Sequence, residues 1–189
     1  MISTYRMAHR TFECFDQMLK WQLKSKDPIA FEIPYGEVNE DLYEKFEDKF
    51  PDKWEDSITS FSKLEFKSGS KNKHTYKYRI MKHFGKNQIS GVIADSRNII
   101  STWDQRLDQT SVYKPCLLSI KFNIVNDKLN MIVVFRNRDL IKRLIVNWYC
   151  LHVLWNKVAI DMGKEPGVLY DFSMQSYIDK NSLQIWNKH

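Results

Sequence analysis

Between Tyr5 and Leu23 the large apolar residues Phe12, Phe15, Leu19 and Leu23 recur three or four positions apart. That is the period of one buried helical face, and it predicts an opening helix. From Asp27 to Asp56 the chain is acidic and interrupted by Pro28, Pro34 and Pro51; within it Leu42, Tyr43, Phe46 and Phe50 predict a second, amphipathic helix. Lys67 to His74 is polar and basic and reads as an exposed loop. No aromatic residues interleave with its lysines to form a stacking platform for single-stranded nucleic acid.

The second half is more regular. Ile99 to Trp103, Leu117 to Ile124 and Leu129 to Phe135 predict strands, and Asn126-Asp127 supplies a tight turn between the last two. From Leu140 to Met162 the apolar residues Leu140, Leu144, Trp148, Leu151, Trp155 and Val158 form one stripe. Ile141, Ile145, Val153 and Leu154 widen it almost all round, so this helix should be central and buried. Gly163 reads as its C-cap, and Pro166-Gly167 as a turn into a last β segment, Val168 to Ser173. With no composition shift and no internal repeat, residues 1–189 read as a single α+β domain with a mixed sheet and packed helices.

Composition narrows the class. A chain of 189 residues, 43% hydrophobic and 28% charged, is long enough to bury a core and too apolar for disorder. The net charge of +6 favours anionic partners without separating a nucleotide from a nucleic acid. Three cysteines, Cys14, Cys116 and Cys150, with no CxxC pair, suggest neither a disulfide framework nor a zinc site, and fit a reducing, cytoplasmic setting. The first ten residues lack an apolar signal core, and no run approaches the roughly 18 apolar residues of a membrane span. The five histidines show no ligand spacing, and the glycines form neither a P-loop nor a GxGxxG turn.

Cys116 follows Lys114-Pro115 and opens a strand. The proline stiffens the approach and sets the thiol at an element edge; by spacing alone the residue is equally readable as a small buried hydrophobe. Its neighbours add to this. Lys114-Pro115-Cys116-Leu117, Phe122-Asn123-Ile124, Lys128-Leu129, Phe135-Arg136-Asn137-Arg138-Asp139 and then Asn147 together resemble the thymidylate synthase superfamily. The closest likeness is to the short archaeal-type thymidylate synthases, with the deoxycytidylate hydroxymethylases more distant. The likeness extends upstream through Thr75 to Arg79, Gly85 to Ile89 and Ser96-Arg97 to Asp104, and downstream through Gly163 to Leu169 and Ser173 to Ile178. It covers about residues 75–183 and leaves the first 70 unmatched.

The resemblance implies transfer of a one-carbon unit from 5,10-methylenetetrahydrofolate to C5 of a pyrimidine nucleotide. Cys116 would be the nucleophile that adds to C6 and makes C5 electron-rich. Arg136 would sustain the thiolate and bind phosphate, and Arg97 would reach the phosphate of the neighbouring subunit in a homodimer. Asn147 would read a uracil edge, since a carboxamide both donates and accepts, which points to deoxyuridylate as substrate. Asp139 would meet the folate, and it is also an N-cap for the helix that follows. Departures from the family pattern are Lys121, Asn137 in place of a phosphate-binding serine, Arg138, Lys142-Arg143 in place of a small segment beside the folate, and Tyr177 and Asp179 in place of a sugar-binding His-x-Tyr pair. Asn137 and Tyr177 can still hydrogen-bond a substrate. The glutamate that organises proton transfer should lie in the N-terminal half, where Glu13, Glu32, Glu37, Glu40 and Glu44 are open choices. Methylation and hydroxymethylation both remain open, as does a member that binds a nucleotide, protein or nucleic acid without turnover.

Overall fold

The computed structural model describes residues 3–6, 19, 29–36, 40–64 and 74–188. Strands β1 (Ser3–Arg6), β2 (Ile29–Pro34), β3 (Ile99–Ser101), β4 (Leu117–Val125), β5 (Lys128–Phe135) and β7 (Glu165–Ser173) form one mixed sheet in the order β1-β2-β7-β5-β4-β3. Two short strands, β6 (Arg138–Asp139) and β8 (Ser176–Tyr177), pair in parallel beside it. The helices are α1 (Glu40–Lys49), α2 (Pro51–Ser62), α3 (Tyr76–Tyr78, continued by a π-helical turn over Arg79–His83), α4 (Gln88–Ala94), α5 (Gln105–Asp108), α6 (Leu144–Asp161) and α7 (Lys180–Asn187). The α+β expectation holds.

Strands β4 and β5 are the hairpin that the pattern predicts. Asn126 and Asp127 both take positive φ, at 50° and 63°, as a two-residue type I′ turn requires. The turn sets the register as far as Ser119 opposite Val134, and a bulge between Leu117 and Ser119 then shifts it by one, so that Leu117 pairs with Phe135 at the open end of the hairpin. The residues just outside that pair, Cys116 and Arg136, are therefore brought together, and the Arg136 N–H donates to the Cys116 carbonyl at 2.7 Å.

Helix α6 packs on β7 and against α1 and α2. Its first turns, Leu144 to Trp148, are buried all round, whereas Val153 and Ile160 are exposed farther along. It starts at Leu144 rather than Leu140 because residues 140–143 form a turn held by Asp139, whose Oδ1 accepts the N–H groups of Ile141 and Lys142, each at 2.9 Å. Gly163, at φ 63°, ends the helix as predicted, with Lys164 N–H returning to the Ala159 carbonyl.

Several expectations are corrected. Tyr5 and Arg6 lie in β1, not in an opening helix; of the remainder of that segment only Leu19, helical and buried, falls among the described residues. Strand β2 was hidden by the acidic, proline-punctuated reading, although Ile29, Phe31 and Ile33 alternate into the core. Helix α2 is a further addition, with Pro51 in its first turn, where the missing N–H costs nothing. Pro166-Gly167 is not a turn but part of β7. A register shift against β5 absorbs the proline, and the Asn130 Oδ1 accepts the Val168 N–H at 2.8 Å. The Lys67–His74 loop lies outside the described residues apart from His74.

The core face of the sheet carries Met131, Val133, Phe135, Leu169 and Asp171. Asp171, fully enclosed, accepts Arg138 Nη1 and Nη2 at 2.8 and 2.6 Å and the Trp148 indole N–H at 2.6 Å, while Arg138 Nη2 also reaches Ser173 Oγ at 2.7 Å. The opposite face carries partly buried Ala30, Val134 and Phe172 side by side, with Ile132 paired to Tyr170 next to them. Substituting Asp171→Ala should destabilise the fold by about 3–5 kcal/mol, because it strands a buried guanidinium. The double variant Arg138→Met, Asp171→Leu should lose less, and urea denaturation of the three proteins checks both expectations.

Candidate active site

The hairpin's open end, the β6–β8 pair, the start of α6 and one side of α2 and α3 enclose a cleft of about 370 Å³, within the roughly 300–1,000 Å³ usual for small-molecule sites. Cys116, Asn137, Asp139, Asn147 and Tyr177 all line it. Five of the residues singled out from sequence thus meet in one place, from the hairpin's open end, β6, α6 and β8. Arg136 is not a lining side chain; its guanidinium lies beside the Cys116 thiol, and its Nε is buried without a geometric hydrogen-bond partner among the described residues. Arg97 is elsewhere: its side chain is 90% exposed and clamped to Asp95, with Nε and Nη2 on the carboxylate at 2.9–3.1 Å.

The thiol of Cys116 donates to Asn137 Oδ1 at 3.1 Å. Burial pushes this thiol above the ordinary cysteine value; Arg136 is the strongest opposing influence, followed by Arg143 and Arg138. The free site therefore holds a thiol whose cations are in place but do not outweigh its desolvation. The backbone N–H groups of Cys116 and Leu117 donate to the Tyr76 hydroxyl at 3.3 and 3.2 Å, and burial raises that phenol to about 12, so it stays neutral. Burial also raises the Asp139 carboxyl. Its Oδ1 is committed to the turn before α6, and the residue still faces the cleft.

The cleft residues to which the sequence assigned no role are mainly on α2 and around α3. Asp56, Ser57 and Ser60 line the cleft from α2, as do His74, Tyr76 and Arg79 from around α3. Arg79 is buried and pairs with Asp108 through Nη1 and Nη2 at 2.7 and 2.9 Å. The Tyr76-x-x-Arg79 spacing, which puts both residues on one helical side, was the available signal. Arg143 crosses the cleft to Ser57 Oγ at 2.9 Å and lies 3.9 Å from Asp56. No glutamate is among the described lining residues; Asp56 and Asp139 are its carboxylates. Of the open choices, Glu32, Glu40 and Glu44 lie outside that set, while Glu13 and Glu37 fall outside the described residues.

Two replacements noted in the sequence are committed to partners within the chain. Arg138 belongs to the Asp171 network. Asp179 caps α7 through Ser182, pairs with Lys142 at 3.0 Å, and is held at about 2 by those two partners. It is thus occupied within the chain, whereas the half-exposed Tyr177 remains open to a ligand.

The family model described as Thymidylate synthase matches residues 39–189, which extends the likeness well upstream of residue 75 and takes in α1 and α2. A curated "Putative thymidylate synthase" of Methanothermobacter marburgensis is 27% identical over 112 residues, 56% of this chain and 50% of that protein. Its namesake in Methanopyrus kandleri is 27% identical over 118 residues, 58% of this chain and 56% of that protein. The matched stretch thus spans about half the length of these relatives. Among solved structures, thymidylate synthase from T4 phage superposes with a TM-score of 0.53 at 22% identity, over 69% of this chain and 48% of that one. Thymidylate synthase A from Bacillus subtilis gives 0.60 at 14% identity, over 86% and 70%. These structures share the fold.

Because burial raises the thiol and Arg136 lowers it, Arg136→Met should raise it further. Alkylation of Cys116 by iodoacetamide should climb with pH in both proteins, with the variant's curve displaced to higher pH. At pH 7 the variant should react more slowly, by roughly tenfold for each unit the thiol rises; peptide mass mapping of Cys116 after timed quenching reads this out.

Proposed function

The chain belongs to the thymidylate synthase family, and from that premise we propose that it transfers a one-carbon unit to C5 of a pyrimidine nucleotide, with deoxyuridylate as substrate. The observation that carries the reading is the convergence of Cys116, Asn137, Asp139 and Asn147 on one cleft, with Arg136 beside the thiol. A C5 position is a weak nucleophile until a thiolate adds to C6, and Cys116 is the thiol in the cleft. Loss of its proton to the medium is helped by the three guanidinium groups around it. Asn147, 5% exposed, offers a carboxamide whose donor and acceptor match the O4 and N3–H of uracil.

Substrate phosphate would be held by Arg136, whose Nε lacks a partner, and by the amide donors of Asn137, whose Oδ1 is taken by the thiol. Tyr177 is the open hydroxyl on the sugar side. Arg97 would complete the phosphate site from a partner subunit, and the Ala30–Phe172–Val134 row on the second face of the sheet is apolar enough for a two-fold pairing of such chains.

The residues present fit a folate. Asp139 keeps one carboxylate oxygen for its own turn and presents to the cleft a carboxyl whose raised pKa suits hydrogen bonding to a pterin edge. Arg143 could meet an acidic group of the same molecule. When bound, methylenetetrahydrofolate supplies the one-carbon unit. A second reading, nucleotide binding without turnover, is favoured by Arg143 bridging the cleft to Ser57 and by Asp179 being tied up internally.

Incubation with methylenetetrahydrofolate and deoxyuridylate should add a methyl or hydroxymethyl mass to the nucleotide, and Cys116→Ser should abolish the gain. No mass change with either deoxyuridylate or deoxycytidylate, despite nucleotide binding, would leave the binding-only reading standing. Sedimentation should show a dimer that Phe172→Arg splits, with loss of phosphate-dependent affinity.

A further inference from the structure

Helices α2 and α3 form a wall with two sides. Asp56, Ser57 and Ser60 face the cleft, while Ile58 on α2, together with Ile80 and Met81 just after α3, faces a separate cavity of about 450 Å³ against α6. Phe61 borders both spaces. The far wall is Tyr149, Cys150, Val153 and Leu154 of α6. Burial raises the Cys150 thiol to about 12, so this interior carries no charge at neutral pH.

The mouth is different in character. Lys77 and Lys157 stand at it, and Val153 is 58% exposed beside them. The Lys77 ammonium donates to the Ser62 carbonyl at 2.6 Å and has no carboxylate partner among the described residues. Among the described residues Lys157 pairs only with Asp161 one turn on, at 3.1 Å and partly exposed, an arrangement worth little and easily exchanged. An apolar interior under two ammonium groups matches an apolar chain with an anionic head.

We propose that this cavity binds a free alkyl carboxylate of medium length, with the chain against Phe61, Ile80, Met81 and Leu154 and the carboxylate on Lys77 and Lys157. The site would be felt at the nucleophile. Phe61 packs on Tyr76 with ring centroids 4.9 Å apart, and the Tyr76 hydroxyl takes the backbone N–H groups of Cys116 and Leu117. An occupant fixing Phe61 therefore fixes the ring that holds the Cys116 backbone. The inference stands on the cavity and does not depend on the one-carbon reading.

The test titrates the full chain with decanoate and, separately, with decanol, each below its aggregation limit, and follows thermal unfolding. Decanoate should give a saturable rise of about 4 °C at tenfold excess over Kd, and decanol a smaller one. Lys77→Met should remove the difference between the two ligands. Val153→Glu, a change at an exposed position that leaves packing intact, should remove both shifts. Iodoacetamide alkylation of Cys116, followed by peptide mass, should slow at saturating decanoate in the wild type and not in Val153→Glu. Absence of a saturable shift, shifts that survive Val153→Glu, or decanol matching decanoate in the wild type would each overturn the site as proposed. An unchanged alkylation rate at saturation would overturn its link to the nucleophile.

Discussion

One carboxylate beneath the cleft holds its parts together. Asp171 takes two donors from Arg138 and one from Trp148, so β7, the β6 segment and α6 are pinned to a single buried group. The residues either side of Arg138, Asn137 and Asp139, face the cleft, as does Asn147, next to Trp148. The arrangement works because the desolvation of each charge is offset by the other and by added hydrogen bonds, Ser173 Oγ among them. Phe135 adds its ring face, 4.1 Å from the Arg138 guanidinium carbon. A hydrophobic pair of similar volume could hold the same elements together, but it would lack the directional bonds that aim Asn137 and Asp139.

The parts of this fold legible in the sequence are those governed by local physics. The type I′ turn at Asn126-Asp127, the C-cap at Gly163 and the long helix through Trp148 follow from φ preference and periodicity. What stayed hidden was decided at a distance. Nothing local in Pro166-Gly167 reveals that Asn130 on the neighbouring strand accepts the Val168 N–H and lets β7 run on. Strand β2 was readable from Ile29, Phe31 and Ile33, but the surrounding prolines and acids masked that alternation. The cleft divides in the same way. Cys116 and Arg136 to Asp139 were visible through their likeness to family motifs, and the hairpin brings the two stretches together, whereas the α2 wall carries no motif and joins the site only through packing.

Departures from the family pattern are not scattered losses. Arg138 is paired through both Nη groups with Asp171, Asp179 with Ser182 and Lys142, and Arg143 with Ser57. Each brings a partner from within the chain, so the altered cleft is built rather than eroded. The result is more cationic on the side of α6, and its thiol is set by competition between burial and three arginines. An anion entering such a site would change that balance by competing for the guanidinium groups around the thiol.

The hairpin that carries Cys116 at one foot and Arg136 at the other spans only a short stretch of chain. Its β4–β5 contacts are close in sequence, whereas β1, β2 and β7 are joined across most of the molecule. Loop-closure entropy then orders assembly in time: Cys116 and Arg136 meet with the first cheap contacts, before the sheet that buries them is complete. During biosynthesis Cys116 is thus paired early but shielded late.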